Sequence, residues 1–544
     1  MQETLFSKMP TLTKPRKMER RQVPYDPAAM QEMPAWRDNL CWPGTPIQVA
    51  QDVRQGLTGY LELTADAPEL DTRRLLMAAG PRIVGLLWRL LDYARSLQES
   101  DRAGIELVSS HPDFNYFKNG GTFPAHSAAS FFPTQIVVPR RPLVRKLINI
   151  ASWSPLWAIP GFFMFPTATA FSNNSELMHE YVGPSGARLT FRDPGHYLIE
   201  ARARQRTENT IKSGEFKELA AHITGFFAAT GRLEGIYLSR FNEAGRIDVE
   251  TVLTAVQADL IQLRNIKLPE TAWTGSAKYA SRIVAHEIIR RGGEVIRFDH
   301  GGSTAMNGWA ELDANASING ATRFVMATNS VAQLSRQGRP ERFVTPVHRT
   351  EIVGGAGYPH LRLISRSERS KSPSRRRRVM YCPTFSRAHS ANPGETIGEP
   401  IHTDFSLRIS KALAELSPDF VVKPHPQSVP PNGRHHAEAV AKVSYERFED
   451  VMGDVDVFVF DTINSTTFWE ALCTDKLVIL MDLGTISIGE RILPMLKRRC
   501  QVLVAAYDDA GKPQIDLEAL QDAVMADIRH ADPTEFRQLL AHEG

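Results

Sequence analysis

A histidine between two prolines, Pro424-His425-Pro426, is the first feature of this sequence that could do chemistry. It follows the β-rich run DFVVK, so we predict that it lies on a loop at the carboxyl end of a strand. Both prolines restrict the backbone, and the ring would therefore lose little entropy on binding a ligand. With Lys423 beside it, the imidazole favours a ligand phosphate; the alternative is a loop histidine without a role.

Three hydroxyl side chains, Ser465, Thr466 and Thr467, stand where another predicted strand ends and a helix begins. Hydroxyl groups and free N–H donors at the start of a helix attract anions, and the helix dipole reinforces them. Ordinary capping by Asn464 or Ser465 is the alternative. Because this segment comes one strand-helix unit after His425, we predict that it too binds a ligand phosphate.

A third feature, Asp299-His300, follows the predicted strand EVIRF. Either side chain could be the general base that deprotonates an acceptor hydroxyl, and the neighbouring carboxylate would raise the basicity of the imidazole. A salt bridge within the loop is the alternative. The two glycines that follow allow a substrate to approach the backbone closely. Substrate contacts are predicted at Gly301, Gly302, Ser303, Thr274 and Ser276, the last two with plain helix capping as the alternative.

The elements that must position these residues are short β-rich runs that alternate with helical patterns, as in parallel sheets. The predicted fold class is α/β, with two Rossmann-like doubly wound domains facing a cleft and an irregular N-terminal extension. We also expect a break at Gly80-Pro81 in the helix that starts near Thr72, and a strand at LEGIYLSRF, residues 233–241. The predicted parts are an irregular arm over 1–70, an acceptor-side α/β domain over 71–362, a basic linker over 363–378 and a nucleotide-donor domain over 379–544.

Composition excludes several classes of protein. The 544 residues carry 64 lysines and arginines against 61 aspartates and glutamates, and this net charge of +3 does not resemble that of a nucleic-acid binder. The four cysteines form no CxxC pair, so neither a disulfide framework nor a structural zinc site is expected. Arg290 stands where HExxH would need its second histidine after His286, and the sequence has no phosphate loop or dinucleotide fingerprint. We expect no metal and no cofactor.

The chain is expected to be cytoplasmic. Its amino terminus lacks an apolar run of signal-peptide length. The most apolar stretch, Leu147–Phe171, is divided by Pro155, Pro160 and Pro166 into pieces too short to cross a bilayer. Burial within the protein is favoured for this stretch; the alternative is peripheral contact with the inner membrane, to which the basic linker could add by binding anionic headgroups.

The order of these motifs resembles that of bacterial surface-polysaccharide transferases with the two-domain GT-B fold. The motifs are FDHGG, YCPTF, KPHP and DTINSTTFWEAL followed by KLVIL, within about residues 270 to 505. The families are the capsule transferases that use CMP-Kdo or CMP-sialic acid and the CDP-glycerol glycerophosphotransferases. The resemblance implies that His425 and the Ser465–Thr467 segment bind the phosphate of a cytidine nucleotide and that His300 is the base. The glycerophosphotransferases usually have Trp-His-Gly-Thr-Pro where this chain has Phe-Asp-His-Gly-Gly, which also admits Asp299 as the base.

We therefore predict a metal-independent glycosyltransferase that uses a nucleotide-activated sugar. It would move an acidic sugar of the Kdo or sialic acid type from a CMP-linked donor to a growing glycan or glycolipid in capsule or lipopolysaccharide synthesis. One alternative is a CDP-glycerol-type polyol-phosphate transferase. The other is a noncatalytic GT-B scaffold of a polysaccharide assembly complex.

Overall fold

A computed structural model gives the structure of the protein, and all structural statements below concern the residues that it describes. No helix in these segments is both long and apolar enough to cross a bilayer. Most of the apolar stretch 147–171 lies outside them, as do His300, Ser276 and most of the basic linker. The described segments are 21–120, 167–172, 176–204, 214–275, 278–299, 301–367, 377–384, 397–429, 434–527 and 532–541.

Six parallel strands form the first large sheet, in the order β4-β3-β5-β6-β7-β8. Most of their side chains are buried, which a sheet covered by helices on both faces requires. The chain steps from β3 outward to β4 and then back past β3 to β5, so the strand order reverses between β3 and β5. The strands are β3 Ala168–Ala170, β4 Leu189–Phe191, β5 Thr271–Thr274, β6 Glu294–Phe298, β7 Arg323–Met326 and β8 Glu351–Gly354.

The second large sheet also has six parallel strands, in the order β11-β10-β9-β12-β13-β14. In chain order this is 3-2-1-4-5-6, the order of a Rossmann domain, and its reversal point lies between β9 and β12. Fully apolar runs such as VFVF in β12 account for strands buried on both faces. The strands are β9 Val379–Cys382, β10 Val421–Val422, β11 Lys442–Val443, β12 Val457–Phe460, β13 Leu477–Asp482 and β14 Gln501–Val504.

Two small sheets complete the strands: β1 Arg21–Pro24 pairs with β2 Ile105–Val108, and β15 Ala506–Tyr507 pairs with β16 Pro513–Gln514. The helices of the first half are α1 Pro27–Glu32, α2 Pro46–Asp66, α3 Leu70–Arg102, α4 Pro112–Asn119, α5 Glu176–Ser185, α6 Gly195–Arg204, α7 Lys217–Thr230, α8 Gly235–Leu263, α9 Tyr279–Arg290, α10 Ala310–Asp313, α11 Asn329–Gly338 and α12 Pro359–Ser367. Those of the second half are α13 Glu399–Leu416, α14 Phe448–Val451, α15 Thr466–Leu472, α16 Ile492–Arg499, α17 Leu517–Met525 and α18 Thr534–Ala541.

Four long helices, α2, α3, α7 and α8, pack on one another and reach the first large sheet through α9. The prediction of an irregular arm over 1–70 is therefore wrong for α2. Its apolar residues recur at helical spacing, with Ala50, Val53, Leu57 and Tyr60 all buried. The prolines and charged residues around this run obscured its helical spacing of apolar residues.

Two further predictions within the first domain are wrong. The segment LEGIYLSRF lies mostly in α8 and forms no strand, because the following residues continue one buried helical face through Phe241, Val249 and Val252. Helix α3 is continuous across Gly80-Pro81. Gly80 is needed there, since a Cβ would come within 2.7 Å of Asn315 Oδ1, and packing of the helix offsets the hydrogen bond that Pro81 cannot donate.

The predicted linker over 363–378 is helical at its start. Helix α12 continues to Ser367, so the first residues of 363–378 are helical. The last helix, α18, returns to the first domain, where it packs on α11 and α12. There Tyr358 N–H donates to the carbonyl of Leu540 at 2.9 Å, and the Thr328 hydroxyl donates to that of Leu539 at 2.5 Å. The two domains therefore share a packed boundary.

The predicted fold class is confirmed: the protein is an α/β protein with two Rossmann-like domains, as in the GT-B architecture. Ligands of such sheets bind beyond the carboxyl ends of the strands, next to the point where the strand order reverses. For the second domain that point is the gap between β9 and β12.

The pH dependence of stability is set partly by two histidines in the first domain. His286 contacts Asn319 Oδ1 at 2.6 Å, and His348 contacts the Ala321 carbonyl at 3.1 Å. Burial lowers the pKa of His286 to about 3 and that of His348 to about 4. The unfolded chain therefore binds more protons below its ordinary histidine pKa of about 6.5, and stability is lost as the pH falls from there.

We expect each of these histidines to lower the free energy of unfolding at pH 5 by about 2 kcal/mol relative to pH 7. Urea unfolding of wild type and His348→Gln at both pH values measures this. The variant should lose about 2 kcal/mol less than wild type on acidification. Equal losses would show that His348 is not held neutral. Groups common to both proteins cancel in this comparison.

Candidate functional site

The loop after β10 carries His425 and Lys423. The His425 ring is exposed, and its carbonyl accepts the Ser428 N–H at 2.8 Å, which closes a short turn. Lys423 is only 8% exposed; its ammonium lies 3.2 Å from the Pro424 carbonyl, and burial lowers its pKa. The imidazole therefore faces solvent at the carboxyl edge of the sheet, with a partly desolvated cation directly before it in the chain.

The hydroxyl segment begins α15 on the other side of β9. Ser465 is the N-cap residue, yet its side chain makes no capping bond; it instead lies 2.6 Å from the Thr467 hydroxyl. Thr466 is exposed. Side-chain capping by Ser465, the alternative to ligand binding, is thus not what the structure shows. Because β10 and β12 both border β9, the loops that carry His425 and Ser465 follow strands on either side of β9, and those two strands are about 10 Å apart at two strand spacings.

Asp461 fixes the end of β12 to the end of β9, and sequence analysis assigned it no role. Directly after β12, its carboxylate accepts the Tyr381 hydroxyl at 2.7 Å and the Thr384 N–H at 2.6 Å. The His402 ring from α13 lies 3.0 Å from the same carboxylate. All the atoms that hold it come from β9, the following loop and α13. The strand ends at the reversal point are therefore fixed by one buried carboxylate.

In the first domain, Asp299 stands at the end of β6 and is only 2% exposed. One of its oxygens accepts the Thr304 hydroxyl at 2.6 Å, and the other lies 3.3 Å from the Tyr358 hydroxyl. The Tyr358 oxygen also accepts the Gly302 N–H at 3.0 Å. Asp299 thus holds the loop that follows it. Thr274 ends the neighbouring strand β5, at the same edge of the sheet, and is buried.

The loop after Asp299 is bent back on itself. Gly301, Gly302 and Ala305 have φ values of +88°, +75° and +73°, the last strained for a residue with a Cβ. Asp313 on α10 fixes this shape by accepting the Ala305 N–H at 3.0 Å and the Asn307 side chain at 3.1 Å. Burial raises the pKa of Asp313 to about 7. Strain that several contacts maintain is typical of functional loops.

The two domains meet at these loops. A Cβ on Gly301 would overlap the hydroxyl oxygen of Thr466, so the loop after β6 lies directly against the first turn of α15. Nearby, Gly308 N–H donates to the Ser487 carbonyl at 2.7 Å and Gly489 N–H to the Met306 carbonyl at 3.0 Å. The carboxyl edges of the two sheets therefore face each other and are in contact.

Sequence reasoning missed four residues that hold the site: Asp461 within the second domain, and Tyr358, His360 and Glu470 at the domain boundary. His360 contacts Glu470 of the second domain at 3.2 Å and Glu176 of the first at 2.5 Å. Glu470 lies within the quoted motif TTFWEAL, but Tyr358 and His360 follow a short apolar strand with no distinctive pattern. The hydrogen-bond partners of Tyr358 and His360 are more than 50 residues away in the sequence; Tyr358, for example, contacts Asp299.

The structure thus brings together part of the predicted site. Gly301, on the loop that Asp299 holds, lies against Thr466, while His425 and Lys423 follow β10, two strands from β12 in the second sheet. Ser303 continues the Gly301 loop, and its carbonyl accepts the Met306 N–H at 3.1 Å. His300 and Ser276 lie outside the described residues. Among the residues described, no group of three or more His, Cys, Asp or Glu side chains is placed to hold a metal ion.

Comparison with known proteins gives structural overlaps only. No family model and no curated protein sequence matches the chain. A structure of S. aureus MnaA with UDP overlaps with a TM-score of 0.35 at 11% identity, over 68% of this chain and 90% of that one. The UDP-GlcNAc 2-epimerase of Neisseria meningitidis bound to UDP-GlcNAc gives 0.33 at 12% identity, over 68% and 97%. A putative UDP-N-acetylglucosamine 2-epimerase of Listeria monocytogenes gives 0.33 at 10%, over 67% and 89%. Overlap at this level does not define a shared activity.

Proposed function

We propose that the protein is a metal-independent glycosyltransferase that moves an acidic sugar of the Kdo or sialic acid type from a CMP-linked donor to a bacterial surface glycan. One observation carries this proposal: the strained loop after Asp299 lies against the first turn of α15, which bears Thr466. A group that activates an acceptor and a group that binds a donor phosphate would then act on the same glycosidic carbon.

The donor phosphate would lie over the end of β9. The His425 ring and the Lys423 ammonium would bind it from one side, and the hydroxyls of the Ser465–Thr467 segment from the other. These donors offset the charge that develops on the leaving CMP as the glycosidic bond breaks. Desolvation of Lys423 strengthens its interaction with an anion.

The acceptor hydroxyl would be deprotonated from the first domain. Asp299 already accepts hydrogen bonds within its own domain on both oxygens and is nearly inaccessible. We therefore assign the base to His300 and a positioning role to Asp299, the residue before it in the sequence, which holds the described part of the loop from Gly301 to Thr304. Contact between the domains excludes water that would otherwise hydrolyse the donor.

The reaction class is tested with two labelled donors: CMP-Kdo carries a carbon label in the sugar, and CDP-glycerol carries a phosphorus label in the β-phosphate. Incubation with a lipid-linked oligosaccharide fraction should transfer the sugar label only. Transfer of phosphorus label from CDP-glycerol would identify a polyol-phosphate transferase instead. Absence of both transfers, with no binding of CMP in calorimetry, would indicate a noncatalytic scaffold.

Replacement of His425 by alanine is expected to weaken CMP binding about 10- to 100-fold, because a charge-assisted hydrogen bond to phosphate contributes about 1.5–3 kcal/mol. Isothermal titration calorimetry at pH 7 measures the change. His222→Ala is the matched control, since His222 is exposed on α7, in the helical layer of the first domain. Equal affinities of the two variants would remove His425 from the phosphate site.

A further inference from the structure

One ring contacts a carboxylate from each domain. His360, at the start of α12, has Nδ1 2.5 Å from Glu176 of α5 in the first domain and Nε2 3.2 Å from Glu470 of α15 in the second. Glu470 is 5% exposed, and its second oxygen is buried with no hydrogen-bond partner among the described residues. His360 is thus the polar contact that holds a buried carboxylate across the domain boundary.

With Glu176 and Glu470 ionised, both ring nitrogens of His360 carry a proton; burial raises the pKa of Glu470, and the hydrogen bond with His360 opposes that rise. An ionised carboxylate only accepts hydrogen bonds, so a ring between two carboxylates donates from both nitrogens and is an imidazolium. Burial lowers the pKa of His360, but the hydrogen bonds with Glu176 and Glu470 outweigh burial and raise this pKa to about 9. Loss of one proton leaves a nitrogen lone pair facing a carboxylate, which is repulsive.

The other charged groups around His360 do not replace this contact. Glu449 of α14 adds a third negative charge that interacts with the ring. Tyr358 packs edge-on with its ring centre 5.8 Å from that of His360. The remaining groups on the elements packed against α12 are engaged elsewhere: His179 interacts with Glu176, Glu180 pairs with Arg362, Glu535 with Arg498 and Arg537 with Asp475.

Glu470 lies on the same short helix as Thr466, which contacts the Gly301 loop. We infer that His360 is a positioning residue: its doubly protonated ring fixes α15 against the first domain, and loss of one proton releases the second domain from this arrangement. The part of the inference that concerns the donor rests on the proposed function. The part that concerns the domains does not.

The inference has a defined pH window. The folded-state pKa of His360 is raised above the ordinary value of about 6.5, so the stabilisation is complete below that value and is lost as the pH rises through about 9. Small-angle X-ray scattering of the full chain at pH 7.5 and pH 10 should show an increase in radius of gyration for wild type. His360→Gln should be expanded at pH 7.5 already and change little with pH, whereas His222→Gln should behave as wild type.

Affinity for CMP supplies the second readout. At pH 7.5 we expect His360→Gln to weaken binding about 3- to 10-fold, since one partly exposed and one buried ion pair are lost. Glu176→Gln, at a half-exposed position on the far side of the ring, should weaken CMP binding less. This variant keeps the inference testable if His360→Gln does not fold.

The outcomes separate the two proposals. If wild type binds no cytidine nucleotide but its expansion at high pH disappears in His360→Gln, the proposed function fails and the positioning role stands. If wild type binds CMP and His360→Gln matches it in radius and affinity at both pH values, the positioning role is overturned and the function stands.

Discussion

Replacement of Gly301 by alanine is expected to destabilise the protein by about 2–4 kcal/mol, for two additive reasons. The residue has φ of +88°, which an alanine adopts only with strain. Its Cβ would also overlap the Thr466 hydroxyl and come within 3.3 Å of the Thr466 Cβ. The clash lies between the domains, so the variant relieves it by separating them. Thermal unfolding should show the stability loss, and calorimetry should show weaker CMP binding.

Two control variants separate the backbone strain at Gly301 from the clash with Thr466. Gly186 has φ of +65° with open space around it, so Gly186→Ala measures backbone strain alone, about 1 kcal/mol. Thr466→Ala in the Gly301→Ala background removes the overlapping oxygen and should restore the stability that the clash costs. If Gly301→Ala costs no more than Gly186→Ala, the two loops are not in contact in solution.

The second domain could largely be predicted from the sequence. Its strands β9, β12 and β13 are continuous apolar runs, because a parallel strand buried on both faces leaves such a signature in the sequence. Strand β11 has only two residues, Lys442 and Val443, one of them exposed, and no pattern of that length is distinctive. The segment YERFEDVMGDV that follows forms only the short helix α14 and a 3-10 turn.

The first domain was harder to predict for a physical reason. Helix α8 begins within a segment rich in β-branched and aromatic residues, and local propensity there favours a strand. Packing against α3 and α7 overrides that preference. The helical spacing of the buried residues becomes visible only over the whole of α8, not over its first nine residues. A long amphipathic element must be identified from its full length.

The candidate site, too, could be predicted from the sequence only in part. Residues that follow strands, such as Asp299 and His425, are placed by topology, since all carboxyl ends of a parallel sheet meet at one edge. Contacts such as Asp299 with Tyr358, or His360 with Glu470, join positions more than 50 residues apart and depend on how the domains meet. A single sequence holds no local pattern for such contacts.

The end of α15 opposite the hydroxyl segment is held by a buried arginine. Arg499, the last residue of α16, is 4% exposed and donates to the carbonyls of Leu472 and Ala471 at 2.8 and 3.1 Å. It also donates to those of Thr474 and Lys476 at 2.6 and 3.0 Å. These carbonyls end the helix and the turn after it, where no backbone N–H can reach them all. Burial lowers the pKa of Arg499 to about 10, still well above neutrality.

Replacement of Arg499 by methionine is therefore expected to cost about 3–5 kcal/mol, because four carbonyls lose a buried, charged donor while the side-chain volume stays similar. Arg498→Met is the matched control: the Arg498 side chain is 62% exposed and pairs with the exposed Glu535, so its loss should cost less than about 1 kcal/mol. Urea unfolding at pH 7 measures both. Because Arg499 anchors the helix that carries Thr466, the methionine variant should also bind CMP more weakly under conditions where it remains folded. Similar midpoints for the two variants would show that water replaces the guanidinium at these carbonyls and that α15 is positioned by apolar packing alone.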